Sequence, residues 1–116
     1  MNNYKDLIVW KKSVDFAVSI YKVTQTLPKS EQFGISSQLQ RAASSIAANI
    51  AEGAGRNSDK EFVHFLSIAL GSLYETETHL MIAQQIGYIS NETIGEFSLI
   101  ISEIDRMVRA LQKSKS

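Results

Sequence analysis

Cysteine is absent from this 116-residue chain, which excludes a disulfide framework, a thiolate metal site and a thiol nucleophile. That absence fits a reducing, cytoplasmic setting. Proline occurs once, at Pro28, and glycine only six times, so the chain has few places to turn and long segments between them. Net charge has no sign: twelve Lys and Arg balance twelve Asp and Glu, leaving no global pull toward nucleic acid or an anionic membrane. Long apolar runs are also missing. The start, MNNYKDLIVWKK, holds only Leu7 to Trp10 between charged residues, too short for a signal-peptide core or a membrane span. No membrane partner is expected. What is present, 44% hydrophobic and 21% charged residues, is the balance of a folded chain rather than a disordered tail. Its length suits one domain, residues 1–116.

Apolar residues recur at helical spacing throughout. Leu7, Trp10, Val14, Ala17, Tyr21 and Thr24, widened by Phe16, Ile20 and Val23, predict a helix over residues 6–26. The residue before a proline resists helical geometry, so Leu27-Pro28 ends it. Ser36 or Ser37 can cap a second helix through Leu39, Ala43, Ile46 and Ile50, over residues 37–53. Ser58-Asp59-Lys60-Glu61 has the form of a capping box and opens a third helix over 58–86, which Gly87 stops. A fourth, over 90–113, places Ile94, Phe97, Ile101, Ile104, Val108 and Leu111 on one face. No alternating run is long enough for a sheet. Short connections between four amphipathic helices predict an all-α, antiparallel up-down-up-down four-helix bundle.

The second and third helices lack charge where a monomeric bundle would carry it. Between Gln38 and Gly55 only Arg41 and Glu52 are charged, and seven of the ten residues from Ala42 to Ala51 are alanine or serine. Phe65 to Tyr74 carries no charge, and Thr78 to Asn91 contains no Asp, Glu, Lys or Arg. A weakly polar face of this length is an association liability unless another copy covers it, so a homo-oligomer is expected. Outward positions Ser45, Ala48, Ile68, Glu75 and Ile82 are its interface candidates.

The few polar groups on these helices then invite one explanation. Arg41, Ser45, Ala48, Glu52 and Arg56 share a side of the second helix, and Glu52 precedes Arg56 by the favourable four residues. Glu77 projects among Leu66, Leu70, Leu73 and Met81, so it should be partly buried and need a partner, with Arg41 or Asn49 available. Arg41, Asn49, Glu52 and Glu77 are therefore expected to form a structural polar network that fixes helix register.

Motifs for chemistry are incomplete. Glu61-Phe62-Val63-His64 has the Glu-x-x-His form of two-metal bundles, but a second copy of the motif is missing and the pair lies off the core stripe. GAGRNSDK lacks the Gly-Lys-Ser/Thr ending of a phosphate loop, and nothing orients a base toward a serine. Neither catalytic residue, metal nor cofactor is expected. Charge is uneven, however: an up-down bundle would gather Lys5, Lys11, Lys12, Arg56, Lys60, Arg106, Arg109, Lys113 and Lys115 at one end. Of these, Lys11, Lys12, Arg56, Arg106, Arg109 and Lys113 are the candidates for nucleic-acid contact.

The runs DLIVWKKS, FGISSQLQRAASSIAANIAEG, FLSIALGSLYETETHL and IGYI, in this order and spacing, closely resemble the 23S rRNA intervening sequence family. That resemblance implies a protein encoded in or near insertions within bacterial 23S rRNA genes, folded as a four-helix bundle and assembled into pentameric rings. The chain is also similar to the accessory variability determinant of diversity-generating retroelements, a pentameric bundle that works with a reverse transcriptase and binds nucleic acid. Together they imply a homo-oligomeric scaffold or adaptor whose partners are further copies of itself and RNA or an RNA-handling protein.

Overall fold

A computed structural model describes residues 3–116, and four helices account for most of them: α1 (Ile8–Thr24), α2 (Ile35–Ala54), α3 (Asp59–Ile86) and α4 (Asn91–Lys115). There is no strand among the described residues. The 28 residues of α3 rise about 1.5 Å each, which matches the 43 Å long axis of the protein. None of the helices among the described residues is long and apolar enough to cross a membrane.

Local chemistry sets the boundaries. Ser58 Oγ accepts the Glu61 amide at 3.1 Å and Ser90 Oγ accepts the Thr93 amide at 3.1 Å, so α3 and α4 start where a hydroxyl satisfies an unpaired helix N–H. Gly87 ends α3 in the left-handed region, with φ at 98°, where a side chain would clash with its own carbonyl. The start of α2 departs from expectation: Gly34, rather than Ser36 or Ser37, is the cap, and it makes no side-chain cap bond. Ser36 is buried inside the first turn instead. At the other end of the preceding connection, α1 is two residues shorter than expected on each side, because Tyr4–Asp6 forms a separate tight turn and the Thr24 hydroxyl donates to Tyr21 O at 2.7 Å.

The α1 stripe is also rotated from the expected one. Val9, Ser13, Phe16, Ile20 and Thr24 face the core, Leu7, Trp10 and Ala17 flank it, and Tyr21 is exposed. Ser13 can occupy the core because its hydroxyl donates back to Val9 O at 2.7 Å, and Thr76 does the same to Ser72 O at 2.8 Å. Around them Phe16, Ile20, Leu39, Ile46, Ile50, Leu66, Leu73, Leu80, Ile104 and Val108 are fully buried. Apolar burial of this kind, at ~25 cal/mol per Å², is the main favourable term in folding. Among the described residues, each buried side-chain nitrogen or oxygen has a hydrogen-bond partner.

Helix α2 lies closest to α3, as its small side chains permit. Ala42, Ala43 and Gly53 are buried, and a Cβ on Gly53 would stand 2.7 Å from Phe65 Cβ and 2.9 Å from Phe62 Cδ1. Further along this seam Ser45 meets Ser72 and Arg41 meets Glu75. On the other side of α3, Tyr74 meets Asp105 and Gln112 meets Val63 and Ser67.

Candidate functional site

The polar groups of the α2–α3 seam divide into separate clusters rather than one network. Arg41 Nη2 donates to Glu75 Oε2 at 2.7 Å and to Gln38 Oε1 at 2.5 Å, while His79 Nε2 lies 3.6 Å from the same Glu75 oxygen. The Arg41 guanidinium holds the Glu75 carboxyl below the usual glutamate range, with partial desolvation acting against it. A few residues away, Asn49 Nδ2 donates to Ser45 O at 2.8 Å and Ser45 Oγ at 2.9 Å, and Ser72 Oγ donates to Ser45 Oγ at 2.8 Å. Glu52 faces solvent and lies 3.6 Å from Arg56, the pairing its spacing suggests.

Glu77 joins none of these. It is half-buried, but it lines a small groove with Leu80, Met81, Gln84, Ile94, Phe97, Ser98 and Ile101, on the α4 side of α3. Two residues of helix turn the chain by about 200°, so Glu75 and Glu77 cannot both face α2. The carboxylate that meets Arg41 is Glu75; Asn49 is occupied within its own helix. Arg41, Asn49, Glu52 and Glu77 are therefore not a single register-fixing set.

The expected cationic end is also spread out and partly neutralised. Arg109 Nε donates to Asp105 Oδ1 at 3.2 Å, and its Nη2 donates to Tyr74 Oη at 2.6 Å, about halfway along α3 rather than at its end. Tyr74 Oη in turn donates to Asp105 Oδ1 at 2.5 Å. Ionising that phenol would forfeit the hydrogen bond it donates to Asp105 and, secondarily, cost desolvation, so its pKa is raised despite the opposing Arg109. Lys12 Nζ lies 2.9 Å from Glu103, and Arg56 lies 3.9 Å from Glu61 with its guanidinium over the Phe65 ring. Lys11, Arg106 and Lys113 enter no ion pair among the described residues. Arg56 and Lys115 share an open depression of about 450 Å³ with Leu7, Phe62 and Asp59, where the start of α1, the α2–α3 turn and the end of α4 meet.

Exposed apolar side chains supply the other distinctive surface. Met81, Ile82 and Ile86 are 49%, 45% and 56% exposed and, with Thr78 and Gln85, line a groove on α3. Ile68 and Tyr74 continue the apolar surface along the helix. Of the interface candidates, Ala48, Ile68 and Ile82 are solvent-facing, whereas Ser45 is half-buried and hydrogen-bonded inside the chain, and Glu75 is held by Arg41. The Asp105–Arg109 pair was legible as an acid four residues before a base, but its link to Tyr74 crosses helices and has no local signal. The Glu31–Tyr88 bond, 2.9 Å long between two loops, is equally non-local. Glu61 and His64 are both exposed on α3, away from the core.

Four helices around an aliphatic core, with surface ion pairs and one long weakly polar face, define a small helical-bundle protein. Within that class the chain belongs to the 23S rRNA-intervening sequence protein family, whose model matches residues 5–110. A crystal structure from Bacteroides thetaiotaomicron, described as a protein of unknown function from the S23 ribosomal protein family, is similar at 32% identity with a TM-score of 0.84. The similarity covers 91% of this chain and 99% of that one. No curated protein matches the chain.

Proposed function

We propose that this protein is a non-enzymatic scaffold or adaptor that acts as a ring-like homo-oligomer of up-down-up-down bundles, and that it serves RNA or an RNA-handling partner in the cytoplasm. The observation that carries the self-assembly is the outer face of α3. Ile68, Met81, Ile82 and Ile86 lie exposed along it, and Thr78 to Asn91 offers no Asp, Glu, Lys or Arg to solvate it. Water contact with such a strip is unfavourable, and a second copy is the partner always at hand. Five copies is the number that the family resemblance favours. Light scattering on the purified protein tests this, since a particle that stays at 12.9 kDa at all concentrations contradicts it.

The absence of an assigned catalytic role follows from where the charged groups sit. Glu75, Asp105, Glu52 and Glu61 each lie beside an arginine at the surface, an arrangement that surface ion pairing alone explains. Support for RNA contact comes from the family's name and from Lys11, Arg106 and Lys113, whose charges are free to meet phosphates. Anisotropy titration with a single-stranded RNA across a salt series is the test. Binding that weakens steeply with salt supports it, and no binding at low salt leaves a protein-only scaffold. The same titration bears on a role as nucleic-acid-binding accessory to a reverse transcriptase, which rests on resemblance alone.

A further inference from the structure

Phe33 is 91% exposed, the most exposed large apolar side chain among the described residues, yet the connection that carries it is held in place. Leu27 is buried at its start, Tyr88 Oη donates to Glu31 Oε2 at 2.9 Å, and the Gly34 amide donates to Glu31 O at 3.0 Å. A bulky aromatic on a pinned loop loses little conformational freedom on docking, which is the property of a binding anchor. Its immediate neighbours Gln32 and Gly34 are uncharged, and the nearby Glu31 carboxylate, beside Gly34, is already held by the Tyr88 hydroxyl.

A matching apolar patch, shallow and carried wholly by α3, exists at the same height on the bundle. Along the α2–α3 seam Gly53 meets Phe62 and Phe65, Ser45 meets Ser72, and Arg41 meets Glu75, so each step back along α2 is one step forward along α3. Extended to the α1–α2 connection, which the Glu31–Tyr88 bond ties down, this progression sets Phe33 level with the stretch from Met81 to Ile86. That stretch holds the uncharged groove of Thr78, Met81, Ile82, Gln85 and Ile86, about 470 Å³ and open to solvent. In one copy the two features do not meet, since Phe33 is left almost bare. A rotation about an axis running along the bundle, however, brings groups of equal height on neighbouring copies together, and a contact between two different surfaces is the kind that closes a ring.

We propose that Phe33 of one copy seats in the Met81–Ile82–Ile86 groove of the next, making the α1–α2 connection the peg of a head-to-tail joint. This rests on the self-assembly proposed above and specifies which surfaces meet. The chain has no cysteine, so single cysteines can be placed without background. Phe33→Cys and Ile82→Cys chains are co-expressed and treated with a short bis-maleimide, and Phe33→Asp is compared with the unaltered protein by sedimentation velocity. The expected result is cross-linked dimers from the mixture but not from either variant alone. Phe33→Asp should need at least about tenfold higher concentration to assemble, the loss typical of an aromatic anchor, while keeping its helical circular dichroism. If the unaltered protein assembles but the mixture gives no cross-link, the peg is wrong and self-assembly stands. An unaltered protein that remains monomeric removes both.

Discussion

Gly53→Ala adds one methyl group at the tightest point of the bundle, and its outcome follows from a competition. Alanine is favoured over glycine by about 1 kcal/mol in a helix interior, an upper bound for Gly53 in the last turn of α2. Against this, the new Cβ would lie 2.7 Å from Phe65 Cβ, 2.9 Å from Phe62 Cδ1 and 3.3 Å from Phe62 O. The first and last of these are backbone-bound positions that cannot rotate away, so the two helices must separate. Overpacking of this kind costs about 1–3 kcal/mol, and the severity of the closest contact argues for the upper half. The expected net effect is a loss of about 1–2 kcal/mol, or a fall in Tm of about 4–8 °C for a chain of this size. Gly95→Ala is the control, because nothing stands within 4 Å of its Cβ position and the helical gain should appear alone. Thermal unfolding of the three proteins at equal protomer concentration reads both signs. A Gly53→Ala protein as stable as Gly95→Ala would refute the close approach of α2 and α3.

Three further outcomes follow from the same contacts. Ser58→Ala removes the acceptor of the Glu61 amide and should cost about 1 kcal/mol in urea unfolding, whereas Ser37→Ala, at an exposed position that caps nothing, should cost far less. Glu75 has a folded pKa below its unfolded value, so its pairing with Arg41 stabilises the protein above the ordinary glutamate pKa and is lost as pH falls through the lower, folded value. The effect is about 0.5 kcal/mol or less because both side chains reach solvent, and a stability difference between the unaltered protein and Glu75→Gln that persists at pH 2 would contradict it. Tyr74 should ionise above the ordinary tyrosine range in a spectrophotometric titration, and Asp105→Asn should bring it back down.

How much was legible in the sequence depended on whether the signal was local. Helices α3 and α4 begin at Ser58 and Ser90 as expected, because a cap and its first turn lie within four residues of each other. Gly87 was readable for the same reason. The stripe of α1 was displaced because Ser13 looks polar on paper but buries its hydroxyl against a carbonyl of its own helix, whereas Tyr21 looks apolar and faces outward. Ser36 looked like a cap and became a buried first-turn residue, since Gly34 already occupies the turn.

The candidate site was less legible because it depends on pairs between helices. Choosing Glu77 over Glu75 as the partner of Arg41 is an error of two positions, but on a helix that moves a carboxylate from the α2 side to the α4 side. Two of the cations expected at one end are drawn elsewhere, although Arg56 and Lys115 do share it. Equal placement by chain position ignores that α3 and α4 are long, so Arg109 reaches Tyr74 midway and Lys12 meets Glu103 rather than a phosphate-facing rim. The scarcity of charge on α2 and α3 was the most transferable signal, since composition survives errors of register. It identified Ile82 and Ile68 as outward-facing, and it extends to a groove, at Met81 and Ile86, that no single residue announces.

If the weakly polar face of α3 is covered by another copy of the chain, the mass of the native particle must exceed that of one chain. Multi-angle light scattering across a hundredfold range of concentration should give a stable multiple of 12.9 kDa, fivefold if the family resemblance holds, and Ile82→Asp should lower it. A particle of 12.9 kDa throughout, unchanged by Ile82→Asp, would contradict the account.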